Sequence, residues 1–151
     1  MDIQQIIDAV RGFGGALAFT PDSAPYPELT WGDAFFYYAP DGVMPERTQP
    51  YGTIITKNYP DDTASDLTND RFRVNIHVGR EAADAVPDAA AQPTDDDVFL
   101  RHPLYGAMGW VCVVNPAERT AQQMLALLQE AHEAARARTL RRGAARPATG
   151  R

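Results

Sequence analysis

Three polar residues alternate along one segment of the chain and could together bind a ligand. Arg73, Asn75 and His77 are spaced two residues apart within residues 71–78, and apolar residues occupy the positions between them. Successive side chains of a β-strand point to opposite faces, so these three are expected on one side of a strand. Arginine supplies a planar fork of donors, asparagine a donor and an acceptor, and histidine a titratable nitrogen. The row therefore suits an anionic or amide-bearing ligand, and the alternative is a solvent-exposed outer face of a sheet.

A second group of such residues lies in a turn that leads into an apolar run. His102, Tyr105 and Trp110 belong to the segment HPLYGAMGWVCVVN at residues 102–115. Histidine before proline adopts an extended backbone, so its ring could face a cleft together with the tyrosine hydroxyl. The alternative is a loop whose aromatic side chains cap the core, with Trp110 packed against the first strands.

These six residues support a small binding domain, provided that the strand and the turn meet at one cleft. The ligand would be a small molecule or a protein partner of unknown identity. An enzyme remains open as an alternative, with His77 or His102 as general base and Tyr105 as general acid. The enzyme would need these groups within hydrogen-bonding reach in a deep pocket.

Metal and thiol chemistry receive less support from the sequence. A metal site would need His77 and His102 with carboxylates such as Asp66 or Asp97, and their spacing matches no helical or Cys-x-x-Cys ligand pattern. We therefore expect neither a metal nor a cofactor. Cys112 lies within the apolar run at 111–114, which indicates a small buried hydrophobic residue and not a nucleophile.

The hydrophobic periodicity predicts a single α+β domain over residues 1–138. Strands cluster in the middle and strict β–α alternation is absent, so we expect a mainly antiparallel sheet of about four or five strands, with the N-terminal and the long C-terminal helices packed on one face. The predicted helices cover residues 2–11, 81–90 and 116–138, and the predicted strands cover residues 16–19, 33–38, 51–57, 71–78 and 111–114. Asn115 is the expected N-cap of the long helix, with Pro116 in its first turn and Glu118 in a capping-box position.

Charge is distributed unevenly along the chain. The net charge of -6 includes six arginines at or beyond position 136, which leaves 8 basic and 20 acidic residues in 1–135, a balance of -12. Such an acidic body argues against binding to duplex DNA. We expect residues 139–151 to form a disordered, arginine-rich tail, and weak nucleic-acid binding through this tail stays an alternative.

The remaining sequence features bear on location and assembly. No apolar run approaches the roughly 20 residues that a transmembrane helix requires, and the acidic start MDIQQIIDAV differs from a secretory signal. A single cysteine suits a reducing compartment. We therefore expect a soluble, cytoplasmic monomer or homodimer without membrane contact.

Several segments carry a resemblance to known families. DAFFY at 33–37, FRVNIHVGRE at 72–81, HPLYGAMGWVCVVNP at 102–116 and the helix sequence LLQEAH at 127–132 resemble an uncharacterised bacterial domain-of-unknown-function family, over about residues 1–138. This resemblance implies no activity. More distantly, the layout is similar to MmcQ/YjbR-like proteins, which place a tryptophan-bearing strand before a terminal helix in a compact α+β fold. Some of those proteins have been suggested to bind DNA, an implication that the acidic body with its single lysine, Lys57, does not support.

Overall fold

The computed structural model describes residues 1–86 and 91–145. The helices within these residues are α1 (Ile3–Arg11), α2 (Arg80–Asp84) and α3 (Ala121–Ala145). The strands are β1 (Ala16–Phe19), β2 (Ala34–Tyr38), β3 (Gly52–Ile55), β4 (Arg73–His77), β5 (Phe99–Arg101) and β6 (Trp110–Val114). The expected last residues of the second helix, 87–90, lie outside the described residues.

The strands form one antiparallel sheet in the order β1-β2-β3-β4-β6-β5. The α+β architecture and the antiparallel sheet are thus confirmed, but the expected four or five strands are wrong, because the sheet has six. The missing strand is β5, which pairs with β6 at the edge. Its three residues lie between an acidic loop and a His-Pro pair, and so short a segment shows no alternation that the sequence could reveal.

One face of the sheet carries the hydrophobic core. Helices α1 and α3 pack on this face and contact each other. Gly52 allows the close approach, since a Cβ at that position would lie 2.8 Å from the Leu128 side chain on α3. The fully buried side chains of this layer include Ile6, Val10, Phe36, Ile54, Val74, Ile76, Val111, Val113, Met124 and Leu128.

The start of α3 differs from the prediction. The helix begins at Ala121, and Asn115 has a left-handed backbone with φ 46°, so Asn115 is not the N-cap. Its side-chain oxygen instead accepts a hydrogen bond from the Phe72 N–H. The preceding turn is held by Asp97, whose carboxylate accepts from the N–H groups of Ala117, Arg119 and Thr120. These bonds outweigh the cost of partial burial and lower the pKa of Asp97.

The end of α3 also differs from the prediction. The helix continues past Arg138 as far as Ala145, so residues 139–145 extend it, while the rest of the expected tail, 146–151, lies outside the described residues. No helix among the described residues has the length and hydropathy needed to cross a membrane.

Candidate ligand-binding pocket

A pocket of about 390 Å³ opens on the sheet face opposite α1 and α3. Strands β3, β4 and β6 form its floor, and the loops at 49–50, 59–62 and 102–108 form its walls. The lining residues are Gln49, Pro50, Thr53, Ile55, Tyr59, Asp61, Asp62, Arg73, Asn75, His102, Tyr105, Met108 and Trp110.

The floor follows from the strand register. Asn75 lies between Thr53 on β3 and Cys112 on β6, and Arg73 lies two residues away on the same face of β4. Arg73 and Asn75 are only 1% and 4% exposed. For these two residues the alternative of a solvent-exposed outer face is therefore wrong, because loops cover them, while His77 at the end of the row is half-buried.

Arg73 is held in place by neighbouring side chains. Its two terminal nitrogens donate to the two carboxylate oxygens of Asp62, and Nη1 also donates to the Ser65 hydroxyl at 3.0 Å. Its Nε donates to Asn75 Oδ1 at 2.8 Å. This two-point pairing is the strong form of an arginine–carboxylate interaction, and it neutralises the guanidinium inside the pocket.

His102 is held in a defined tautomer. Its Nδ1 accepts hydrogen bonds from the backbone N–H groups of Leu104 and Tyr105, each at 3.1 Å. Nδ1 therefore carries no hydrogen, and the neutral ring is protonated at Nε2. That nitrogen lies 3.1 Å from Arg73 Nη2, which is also a donor, and 3.8 Å from Asp62 Oδ2. The carboxylate thus attracts both donors and offsets their mutual repulsion.

The surroundings of His102 and Asp62 shift the pKa values of both groups and thereby set the charge of the pocket at neutral pH. Burial, followed by the positive charge of Arg73, lowers the pKa of His102 to about 4, although Asp62 acts in the opposite direction. Burial would raise the pKa of Asp62, but the hydrogen bonds and charge of Arg73 outweigh it and lower that pKa. At neutral pH the site therefore holds a neutral imidazole and a charge-paired Asp62 and Arg73.

Two hydrogen-bond donors at the floor of the pocket are available to a ligand. Asn75 Nδ2 carries two hydrogens and donates one to Thr53 Oγ1 at 3.0 Å. Among the described residues, neither its second hydrogen nor the Thr53 hydroxyl hydrogen has an acceptor. A ligand oxygen placed over these two side chains would satisfy both donors.

The walls are mainly aromatic and aliphatic. The hydroxyl of Tyr59 donates to the buried Asp33 at 2.5 Å, which fixes the tyrosine ring at the pocket. Burial, with the hydrogen bond and charge of Asp33, raises the pKa of Tyr59, so its hydroxyl stays protonated. Tyr105 is 41% exposed at the rim, where its ring lies 4.8 Å from that of His102 between centroids.

Five of the six candidate residues line this pocket: Arg73, Asn75, His102, Tyr105 and Trp110. His77 does not. It lies at the end of β4, edge-on to Trp110 with 5.4 Å between ring centroids, and it lines a second cavity. Trp110 is half-buried and lines both cavities, so it is a shared wall and not simply a cap on the core.

The geometry gives little support to the catalytic alternative. A general base needs a free lone pair, and the only lone pair of neutral His102 receives two backbone N–H groups. His77 lines the other cavity, which Tyr105 does not line. The arrangement is suited to holding a molecule in place by hydrogen bonds and ring contacts.

Sequence reasoning missed several residues that shape the pocket. Asp62, Ser65 and Tyr59 lie in the 58–70 segment, which reads as a solvated acidic loop, and Thr53 lies on a strand without distinctive spacing. One signal was available for Asp62, since an arginine on an inner strand face requires a carboxylate partner. The acidic residues just before β4 in the chain are the nearest candidates.

Fold and pocket together define a small α+β domain with one sheet face covered by helices and a polar-floored cavity on the other. The chain belongs to the family described as "Family of unknown function (DUF6194)", whose model matches residues 1–144. The resemblance to a domain-of-unknown-function family is thus confirmed. No curated protein and no solved structure matches the chain.

Proposed function

We propose that this protein binds a small, uncharged, ring-containing molecule in the pocket above β3, β4 and β6. The observation that carries the proposal is the state of the floor, where Arg73 is neutralised by Asp62 while Thr53 and Asn75 retain donors for a ligand oxygen. A carbonyl group, as in an amide, matches those two donors. Of the two ligand classes suggested by the sequence, the amide-bearing one is favoured over the anionic one.

Size and walls support the same ligand class. A volume of about 390 Å³ lies within the range of small-molecule sites, which are mostly apolar with a few polar groups that set orientation. The rings of Tyr59, Tyr105 and Trp110 offer flat surfaces to a ring, and Ile55 and Met108 add aliphatic contact.

The charges of the lining argue against an anion. Asp61 and Asp62 carry negative charge, Arg73 carries the compensating positive charge, and His102 is neutral at pH 7. The lining therefore has a net charge of about -1, which repels a carboxylate.

Three matched probes test the proposal. Benzamide is neutral, benzoate is anionic and benzamidine is cationic, while all three share one ring. In ¹H–¹⁵N spectra, benzamide is expected to shift the Trp110 indole and the Asn75 side-chain amide, with millimolar affinity for so small a molecule. Equal binding of benzoate, or no response of either group to benzamide, would refute an uncharged-ligand site.

Substitutions of residues that line the pocket test whether benzamide binds there. Thr53→Val keeps the shape of the side chain but removes the hydroxyl, and Tyr105→Ala removes a wall at an exposed position. Both are expected to weaken benzamide binding. Leu104→Ala is the matched control, because Leu104 is 46% exposed on the same turn but does not line the pocket.

A protein partner is the second candidate, favoured by the exposed apolar rim. Tyr105 and Met108 line the pocket and are 41% and 64% exposed, and Leu104 on the same turn is 46% exposed. If this rim mediates self-association, a concentration series in analytical ultracentrifugation would show a dimer that Met108→Glu abolishes. A monomer at all concentrations leaves the small-molecule site as the better account.

The finer expectations from the sequence stay predictions. A distant relationship to MmcQ/YjbR-like proteins, a cytoplasmic location and a monomeric or dimeric state are all compatible with the proposed binding role. The enzyme alternative requires a base other than His102.

A further inference from the structure

A second cavity, of about 250 Å³, lies at one end of the sheet and has a different chemistry. Strands β2 and β4 run in the same direction in this antiparallel sheet, and β6 runs in the opposite direction. The C-terminal ends of β2 and β4 and the start of β6 therefore lie at the same end of the sheet. The C-terminal half of α3 and the loop at 47–51 complete the cavity. Its lining residues are Tyr37, Tyr38, Arg47, Thr48, Gln49, Pro50, Tyr51, His77, Trp110, Ala135, Arg138, Thr139 and Arg142.

Three arginines converge on this cavity without a carboxylate. Arg138 and Arg142 are four residues apart on α3 and therefore share a helix face, and Arg47 comes from the loop. No Asp or Glu lines the cavity, and within residues 1–86 and 91–145 none of the three arginines forms an ion pair. A cluster of uncompensated positive charge stands out in a chain of net charge -6.

The pKa shifts agree with this arrangement. Burial lowers the pKa of Arg138, and the like charges of Arg142 and Arg141 lower it further. Burial also lowers the pKa of His77, opposed by a hydrogen bond with the Met108 backbone and reinforced by Arg138. An anion in the cavity would relieve the repulsion that both groups experience.

We propose that this second cavity binds an oxyanion, such as the phosphate group of a small molecule, between Arg138, Arg142 and Arg47. The guanidinium fork matches the geometry of phosphate and donates charge-assisted hydrogen bonds. His77 and the tyrosine rings of β2 form the opposite wall. The arginines near the C-terminus thereby acquire a role as part of a shaped site, which differs from that of a solvated tail.

This site is independent of the uncharged-ligand pocket, although Gln49, Pro50 and Trp110 line both. The first pocket has Thr53, Asn75 and the paired Arg73 at its floor, whereas the second cavity is lined by three arginines without a carboxylate. Either proposal can therefore fail alone, since benzamide probes the first cavity and pyrophosphate probes the second.

Calorimetry with pyrophosphate and with inorganic phosphate at low ionic strength tests the proposal. Pyrophosphate is expected to bind, and Arg138→Gln and Arg142→Gln are each expected to raise the Kd at least about tenfold, through loss of a charge-assisted contact. Arg141→Gln is the matched control: it removes the same charge from an exposed arginine on the same helix that does not line the cavity. The Kd of this control should rise clearly less than that of either lining variant, because Arg141→Gln removes only long-range attraction and no direct contact.

The same series includes one control for correct folding and one for nucleic-acid binding. Arg142 is exposed, so Arg142→Gln leaves the core intact, and an unchanged Tm verifies it. The proposal is overturned if pyrophosphate gives no heat with the wild type, or if Arg141→Gln weakens binding as much as Arg142→Gln. It is overturned equally if a single-stranded oligonucleotide binds and the small oxyanions do not, since a backbone-binding basic helix would then explain the cluster.

Discussion

Arg73 and Asp62 form a two-point ion pair at the base of the pocket. Each terminal nitrogen of the guanidinium meets its own carboxylate oxygen, and the two side chains are 1% and 12% exposed. The pair connects β4 to the 59–65 segment, which is otherwise a polar loop. It fixes one wall of the pocket and removes the positive charge that would attract an anion.

Breaking this pair should be costly. In Asp62→Asn the buried guanidinium loses its counter-charge, and we expect the free energy of unfolding to fall by about 3 kcal/mol, as for other buried pairs that lose one partner. Urea unfolding measures the change. Asp61→Asn is the control, because Asp61 is exposed in the same loop and forms no ion pair with the described residues. Equal stability of the two variants would show that the pair does not hold the loop.

Acidification should destabilise the protein in a defined range. The pKa of His102 is lowered from 6.5 to about 4 in the folded protein. Between pH 6.5 and pH 4 the unfolded chain therefore binds a proton at His102 that the folded chain does not bind. The stabilisation is complete above pH 6.5, declines as the pH falls and is lost below about 4. The lowered pKa of Asp62 extends the loss to more acidic pH, where its carboxylate becomes protonated.

The pH effect is measured as unfolding free energy between pH 7 and pH 4. The His102 contribution is at most on the order of 3 kcal/mol for a shift of this size. His102→Asn should flatten the curve more than His77→Asn, although the pKa of His77 is lowered too. A wild-type stability that does not change between pH 7 and pH 5 would contradict the assignment of a neutral His102.

The 102–110 turn depends on Gly109. This residue has φ 94°, and a Cβ there would lie 2.8 Å from the Gly79 Cα atom. Gly109→Ala therefore combines a left-handed backbone with a backbone clash, and we expect a loss of about 2 kcal/mol or more together with loss of benzamide binding. Thermal unfolding measures the first effect. Gly14→Ala, at a position with open space, should cost much less; a similar cost for both would argue against a tightly fitted turn.

Cys112 should be unreactive in the folded protein. Its thiol is 1% exposed, and burial raises its pKa to about 12, so hardly any thiolate is present at neutral pH. Reaction with Ellman's reagent is expected only at the rate of unfolding, and fully in denaturant. Rapid labelling of the native protein would contradict the burial of the strand beneath the pocket floor.

Much of the fold could be predicted because its signals are local. The alternation in β4 placed Arg73 and Asn75 on one face, and the turn at 102–110 was recognised from its histidine, tyrosine and tryptophan. The edge strand β5 was missed because three residues carry no periodicity. Asn115 matched a capping pattern, but its left-handed backbone and its bond to Phe72 are set by the neighbouring strand.

The pocket itself was less predictable, because loops complete it. The acidic composition around Asp62 is typical of a solvated loop, and the need of Arg73 for a carboxylate partner does not by itself indicate which acidic residue turns inward. His77 shares the alternation of Arg73 and Asn75, yet it lies at the strand end, where Trp110 separates it from the pocket. Alternation gives the face of a strand but not where a cavity on that face ends.

A crystal structure of the benzamide complex tests the central claim most directly. The account predicts the amide oxygen within about 3 Å of Thr53 Oγ1 and Asn75 Nδ2, which is hydrogen-bonding distance, with the ring between Tyr105 and Trp110. Benzamide bound elsewhere, or bound in the pocket with its oxygen turned away from these two donors, would contradict it.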